Sequence, residues 1–409
     1  MEAALGDSVE STTHTGAPAG TGPMTHGEVL DLLRRRGPTT RRDLLQLTHL
    51  SRTTLVERLD TLQRLKLIRE GPRGTARSGR PPVLLEFDES SRITLTIDVG
   101  AAHTEGAVTD LAARRLVLQR SPVELSADAA TVTEQLVGFA AEVLAAGPQH
   151  TELLGIGISF PGLQSPRHGL IEAPAVLGHW DGAPLGARFE EAFGVPAVLA
   201  NDAHAMAYGE YLADGRRRTL LVVKVSTGIG AGLVLDGRLH TGDSHGAGQF
   251  GHMRVAGLDG RCPCGKRGCL ATVASGRALL ARLEPHGVTT LDEVVQGVER
   301  GDAEVVGALT DAGRAVGTVL SGVATMLDPG AILFGGSLGR LAPFIEAART
   351  PIKELTYART AAGIDIGPTV LGQESAVTGL GALIVDEALS PRSVDALVAG
   401  TARARRTPR

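Results

Sequence analysis

The sequence predicts an α/β protein with a winged helix-turn-helix at its front, followed by two similar lobes of alternating strands and helices around a cleft. Three observations carry this. Between Arg34 and Arg80 stand 13 Lys or Arg against 4 Asp or Glu, on a pattern of helix, short turn, helix, strand, strand. Beyond Asp88 strands and helices alternate, and near Leu220 the plan starts again. All three cysteines, Cys262, Cys264 and Cys269, fall within eight residues, with His252 shortly before them.

Composition bounds the rest. A chain of 409 residues suits two or three domains, and 43% hydrophobic against 21% charged residues can bury a real core. No run of eighteen apolar residues occurs, and the first thirty lack the basic-then-apolar pattern of a signal peptide, so a cytoplasmic protein without a membrane partner is expected. Aromatics make up only 3%, with Trp180 the single tryptophan, which excludes stacking on exposed bases or sugars as a general strategy. The net charge of -4 hides the basic block, which points to a polyanion partner at that end.

Taken in order, residues 1–23 are rich in Ala, Gly, Ser, Thr and Pro without periodicity and read as disordered. Residues 24–88 form the DNA-binding module. Val29, Leu32 and Leu33 make an apolar stripe that ends at Gly37-Pro38. Thr40 caps a second helix holding Leu44, Leu45 and Leu47, and Ser51 caps a third, running to about Leu65, with Leu55, Leu59 and Leu62 inward. The polar start of that third helix is how a helix-turn-helix presents side chains to the major groove of double-stranded DNA. Candidate contacts are Arg41, Arg42, Ser51, Arg52, Thr53, Thr54 and Arg58. Two short strands, Leu67-Ile68-Arg69 and V-L-L-E-F, flank a basic glycine-rich turn, a wing whose Arg73, Arg77 and Arg80 are placed for phosphate. The competing reading is a solvated helical face or a protein-interaction module.

The body opens with a buried strand, Ile93 to Gly100, ending in an acid and a glycine. Strands follow near 106–109 and 115–119, then a helix over 131–146 and a strand over 153–160. Val195 to Leu199 leads into Asn201-Asp202-Ala203-His204 and a helix. The second lobe has strands over 220–225 and 230–235, helices from Gly276, a strand over 331–334 ending in Gly335-Gly336, and a last helix from about Glu374. The lobes divide as 92–200 plus 375–390 and 201–374, and the basic, unpatterned C-terminus, 391–409, reads as a tail.

His252, Cys262, Cys264 and Cys269 can present one imidazole and three thiolates to a tetrahedral ion, and that donor set favours a structural Zn2+. A disulfide with one cysteine left over is the alternative; three cysteines without an export signal argue against it.

D-V-G at the start of the body, N-D-A at a strand end, S-T-G-I-G-A-G, G-Q-F-G-H-M, C-P-C-G-K-R-G-C and L-F-G-G-S together resemble the ROK family of bacterial repressors, open reading frames and sugar kinases, from about Ile93 to Leu389. The resemblance implies a two-lobed actin-like, ribonuclease H-like ATPase fold and a homodimer. With the winged helix in front, it implies a sugar-responsive transcriptional repressor on a palindromic operator. Asp202 matches the family's catalytic aspartate, yet Ala101, Ala102 and His103 stand where kinases carry glycine, threonine and lysine. ATP binding is therefore not expected, Asp202 is read as a vestigial base, and the protein is read as no enzyme. The effector residues carried over are Asn201, Asp202, Gln249 and His252, with Ala175 and Ala271 where relatives have polar side chains. The effector expected is a sugar, of unusual kind, or a sugar phosphate. The alternatives are a hexose kinase with a DNA-binding appendage and an interaction scaffold with a dead pocket.

Overall fold

The computed structural model of the protein describes residues 23–73, 81–100, 104–123, 125, 127–164, 170–172, 175–215 and 217–404. Outside these lie nearly all of the segment expected to be disordered, Arg77, Arg80, and Ala101, Ala102 and His103 of the altered phosphate loop. The described chain divides into two compact units, one of residues up to Phe87 joined by those from Val394 onward, the other spanning Asp88–Ser393.

The first unit is built on helix caps. Helix α1 (His26–Arg36) starts with a capping box between Thr25 and Glu28 and stops at Gly37, whose φ of 80° suits glycine. After the short strand β1 (Thr39–Thr40), α2 (Arg41–Thr48) is capped by Thr40 and α3 (Arg52–Arg64) by Ser51. Val29, Leu30, Leu33, Leu44, Leu55, Leu59 and Leu62 form the core between them. Strands β2 (Ile68–Arg73) and β3 (Val83–Phe87) make the wing, and β1 adds to its edge in the order β1-β3-β2. The C-terminus corrects the expectation of a tail, because Pro391–Ala404 is a helix. Val394 is fully buried, and Asp395 accepts the backbone N–H of Gly27 at 3.0 Å, in the first turn of α1. The sequence held the signal: Ser390 accepts the N–H of Ser393 as a cap, and Pro391 sits at the first helical position.

In the second unit β4 (Arg92–Val99), β5 (Thr104–Asp110) and β6 (Arg115–Ser121) lead to α4 (Ala129–Ala145) and β7 (Glu152–Phe160). A small hairpin, β8 (Leu163–Gln164) with β9 (Ile171–Glu172), then α5 (Leu185–Phe193), β10 (Ala197–Asn201) and α6 (Asp202–Asp214) follow. The plan repeats with β11 (Leu220–Val225), β12 (Ile229–Leu235) and β13 (Arg238–His240). After these come α7 (Ala271–Ala274), α8 (Gly276–Leu283), α9 (Leu291–Glu299), α10 (Ala303–Leu327), β14 (Ala331–Gly335), α11 (Gly336–Gly339), α12 (Ala342–Leu355), α13 (Ala358–Gly363), β15 (Asp365–Pro368) and α14 (Ser375–Ala388).

The two sheets share one topology. The first runs β10-β7-β4-β5-β6 and the second β15-β14-β11-β12-β13, each with two antiparallel pairings on one side of the first strand and two parallel on the other. That duplication is the actin-like fold. Buried Leu95, Ile97, Val132, Ile156, Phe160, Trp180 and Phe189 fill the first core, and Val223, Val225, Leu309, Val316, Ile332, Phe334 and Phe344 the second.

Helices α6 and α14 cross between the sheets at backbone distance. A β-carbon at Gly379 would stand 1.8 Å from the Ala205 carbonyl oxygen and one at Gly209 2.0 Å from that of Ser375, so both positions require glycine. Buried Glu210 fixes the start of α14, accepting the N–H groups of Val370 and Leu371 at 2.7 and 2.9 Å and the Ser375 hydroxyl at 2.6 Å.

Candidate effector site, metal-ligand group and DNA-binding surface

Two of the residues expected at an effector site, Asn201 and Asp202, stand where the first sheet hands over to the second. Asn201 ends β10 and caps α6: its Oδ1 accepts the N–H groups of Ala203 and His204 at 3.0 and 3.3 Å, and its Nδ2 donates to the Gly162 carbonyl at 2.9 Å. Through these bonds Asn201, expected as an effector contact, braces the chain around Asp202. Asp202 opens α6, and its Oδ1 accepts the N–H of Ala203 at 2.8 Å. Its Oδ2 accepts from the Lys224 ammonium at 2.7 Å.

Lys224 escaped the sequence reading. It stands near the end of β11, a charge inside the apolar run L-L-V-V-K-V, and that interruption was the signal available. Burial opposes its charge, but Asp202, Asp98 and Glu105 outweigh burial and hold the ammonium above the ordinary lysine range. Asp98 is hydrogen-bonded by the Ser159 hydroxyl, and Glu105 is paired with Arg120 at 2.7 Å.

His204 is buried, and its Nε2 donates to the Ala247 carbonyl at 2.9 Å; burial lowers its pKa. The bond ties the loop carrying Gln249 and His252 to the first turn of α6. Gln249 and His252 are both exposed. His179 and His245 do other work, His179 donating to the Leu125 carbonyl at 2.9 Å and His245 taking a left-handed turn conformation. Ala271 starts α7, while the side chain of Ala175 lies outside the described residues.

In the second phosphate loop the glycines serve different ends. A β-carbon at Gly232 would come within 2.3 Å of the Ala203 carbonyl oxygen, so this glycine lets α6 pack, whereas one at Gly228 would meet nothing within 4 Å. The loop is tied to α8 by hydrogen bonds from Gly276 to Ser226 and from Arg277 to Thr227, at 2.8 and 3.1 Å.

The structure brings His252, Cys262, Cys264 and Cys269 together, with one donor atom from each inside a 4.8 Å span. His252 Nδ1 stands 3.6 Å from Cys262 Sγ, and Cys264 Sγ 3.7 Å from Cys269 Sγ, so the cysteines are free thiols. A tetrahedral ion with bonds of about 2.0 to 2.3 Å sets its ligands roughly 3.3 to 3.8 Å apart; the 3.6 and 3.7 Å pairs fall in that range, while the span of the whole group reaches beyond it. The backbone N–H of Lys266 lowers the Cys264 thiol, while burial pushes Cys269 up to about 11. Burial and Lys266 lower His252, favouring the neutral imidazole that a metal requires. Gly268, at φ 75°, closes the turn where a β-carbon would lie 2.5 Å from the Leu258 carbonyl oxygen.

On the winged unit Arg42, Arg52, Thr53 and Arg73 are exposed. Arg41 is paired with Glu70 at 3.1 Å. Ser51 and Thr54 are committed to each other, their hydroxyls 2.8 Å apart, and act as the cap of α3. Arg58 departs from expectation: its Nη1 lies 3.2 Å from His26 Nδ1 and its Nε is buried, so it turns back onto α1 rather than outward. Burial, then Arg58, lowers the pKa of His26. The outward face of α3 presents a shallow hollow lined by Thr53, Val56, Glu57, Asp60, Gln63 and Arg64, residues opposite in phase to Leu55, Leu59 and Leu62.

A family model described as "ROK family" matches residues 94–387. The xylose repressor of Bacillus subtilis (strain 168) is 26% identical over 366 residues, covering 88% of this chain and 94% of its own. A ROK family transcriptional regulator, described as a homologue of the E. coli MLC protein, superposes with a TM-score of 0.75 at 23% identity, over 92% of this chain and 98% of its own. A ROK family glucokinase from Streptomyces griseus, solved with glucose and AMPPNP, matches with a TM-score of 0.58 at 24% identity, over 71% of this chain and 98% of its own. That glucokinase overturns the expectation that ATP is not held, since the same body binds an ATP analogue there. The metal expectation is corrected as well: what stands is an assembled group of one histidine and three cysteines, not an identified zinc ion.

Proposed function

This chain belongs to the ROK family, and from that premise we propose that it is a DNA-binding transcriptional regulator, acting as a repressor that responds to a sugar or sugar-derived effector bound beside Asp202. Its role is regulatory rather than enzymatic. The observation that carries this is the extent of the likenesses: the two regulators cover 88% and 92% of this chain, whereas the glucokinase, matched over 98% of its own length, covers 71%. The basic winged unit is the part that separates them.

In this reading α3 enters the major groove through Arg52 and Thr53, Arg42 flanks it, and Arg73, Arg77 and Arg80 hold phosphate. Two such units in a homodimer read a palindromic operator, and effector binding alters the spacing between them. With DNA as its partner, the protein works in the cytoplasm. Fluorescence anisotropy on DNA from upstream of its own gene tests this. Affinity should fall about a thousandfold between 50 and 200 mM salt, and Arg52→Ala should weaken specific binding about tenfold. A scrambled fragment bound equally well would sink the proposal.

A further inference from the structure

The geometry points to Lys224 as an effector contact: with Asp202 it forms a fixed donor–acceptor pair that grips one uncharged sugar hydroxyl. This deepens the sugar-responsive reading and rests on it. A hydroxyl both donates and accepts, and the pair offers both functions side by side. Asp202 Oδ2, 2.7 Å from Nζ, keeps lone-pair capacity, and a lysine ammonium has three donors, of which the described residues take one. The two side chains are 15% and 17% exposed, so the pair is largely packed but not sealed from solvent.

Lys224 is paired across β11 with Gly230 on one side and Gly335 on the other, so neither neighbouring strand puts a side chain beside it. Asp202 Oδ1 takes the Ala203 N–H and Oδ2 takes Lys224, so each carboxylate oxygen is held in place by one donor and keeps a lone pair for a further one. An acidic ligand is disfavoured, since Asp98, Asp202 and Glu105 outnumber Lys224 and Arg120 around the pair.

Isothermal titration of the full chain with D-xylose, D-glucose, the singly deoxygenated glucoses and glucose 6-phosphate tests the assignment, using wild type, Lys224→Met and Asp202→Asn. One deoxy sugar should bind wild type about tenfold or more weaker than its parent, and that penalty should vanish in both variants while the other penalties persist. A loss of folding alone would weaken all sugars together. Variants that bind the parent sugar like wild type, an unchanged deoxy penalty, or tighter binding of glucose 6-phosphate than of glucose would each overturn it. Wild type that binds promoter DNA but none of these sugars overturns this inference alone. Sugar binding as described without any DNA binding sinks the regulator reading instead.

Discussion

The two sheets of the body have the same strand order, yet the penultimate residue of the first strand in each carries opposite charge: Asp98 on β4 and Lys224 on β11. Their neighbours differ accordingly. Asp98 is paired across the sheet with Glu105 and Ser159, Lys224 with Gly230 and Gly335. One lobe thus brings acids to the seam, and the other brings a cation whose strand partners are both glycines. Duplication fixed the positions, and divergence at single residues decided what meets there.

The largest effect should come from separating the lobes. Gly379→Val places side-chain atoms into the Ala205 carbonyl, where a β-carbon alone would stand 1.8 Å away, and α14 can no longer lie on α6. A loss of about 3 kcal/mol or more is expected by urea denaturation, and a loss below about 1 kcal/mol would show that the crossing is not what joins the sheets.

Breaking the charge contrast should cost less. Lys224→Met leaves Asp202 without its ion-pair partner in a mostly buried position, at about 2 kcal/mol, and the double change with Asp202→Asn should recover much of it. The pH dependence has a definite sign. The Lys224 pKa is raised on folding, so its stabilisation is complete below the unfolded value of about 10.4 and is lost as pH rises toward the higher folded value. Wild type should therefore lose an increment of stability above about pH 10.4 that Lys224→Met, already lacking it at neutral pH, does not lose.

The winged unit was legible in the sequence almost to the residue because caps are local. Thr25, Thr40 and Ser51 announce three helices by a side-chain oxygen aimed at an N–H two or three residues on, and each does so here. The Cys-His group was legible for the same reason, its three cysteines standing within eight residues. What escaped depended on partners distant in sequence. Lys224 meets Asp202 across 22 residues, and Arg58 turns back to His26 across 32. The C-terminal helix was obscured by the basic run after it, although Ser390-Pro391 marked its start.

The loop S-T-G-I-G-A-G allows the finest cut, since sequence alone could not say which of its glycines serve packing and which serve a ligand. Gly232 touches α6, whereas Gly228 has open space where a β-carbon would go. Gly228→Ala should leave the melting temperature within about 2 °C of wild type, since it reduces the unfolded chain's freedom and meets no obstacle in the fold. Gly232→Ala, 2.3 Å from a carbonyl oxygen, should lower it by several times that margin. A silent Gly228→Ala would mean that the fold tolerates a β-carbon there, so that this glycine is kept for what approaches it from outside. A large loss would instead assign Gly228 to the architecture.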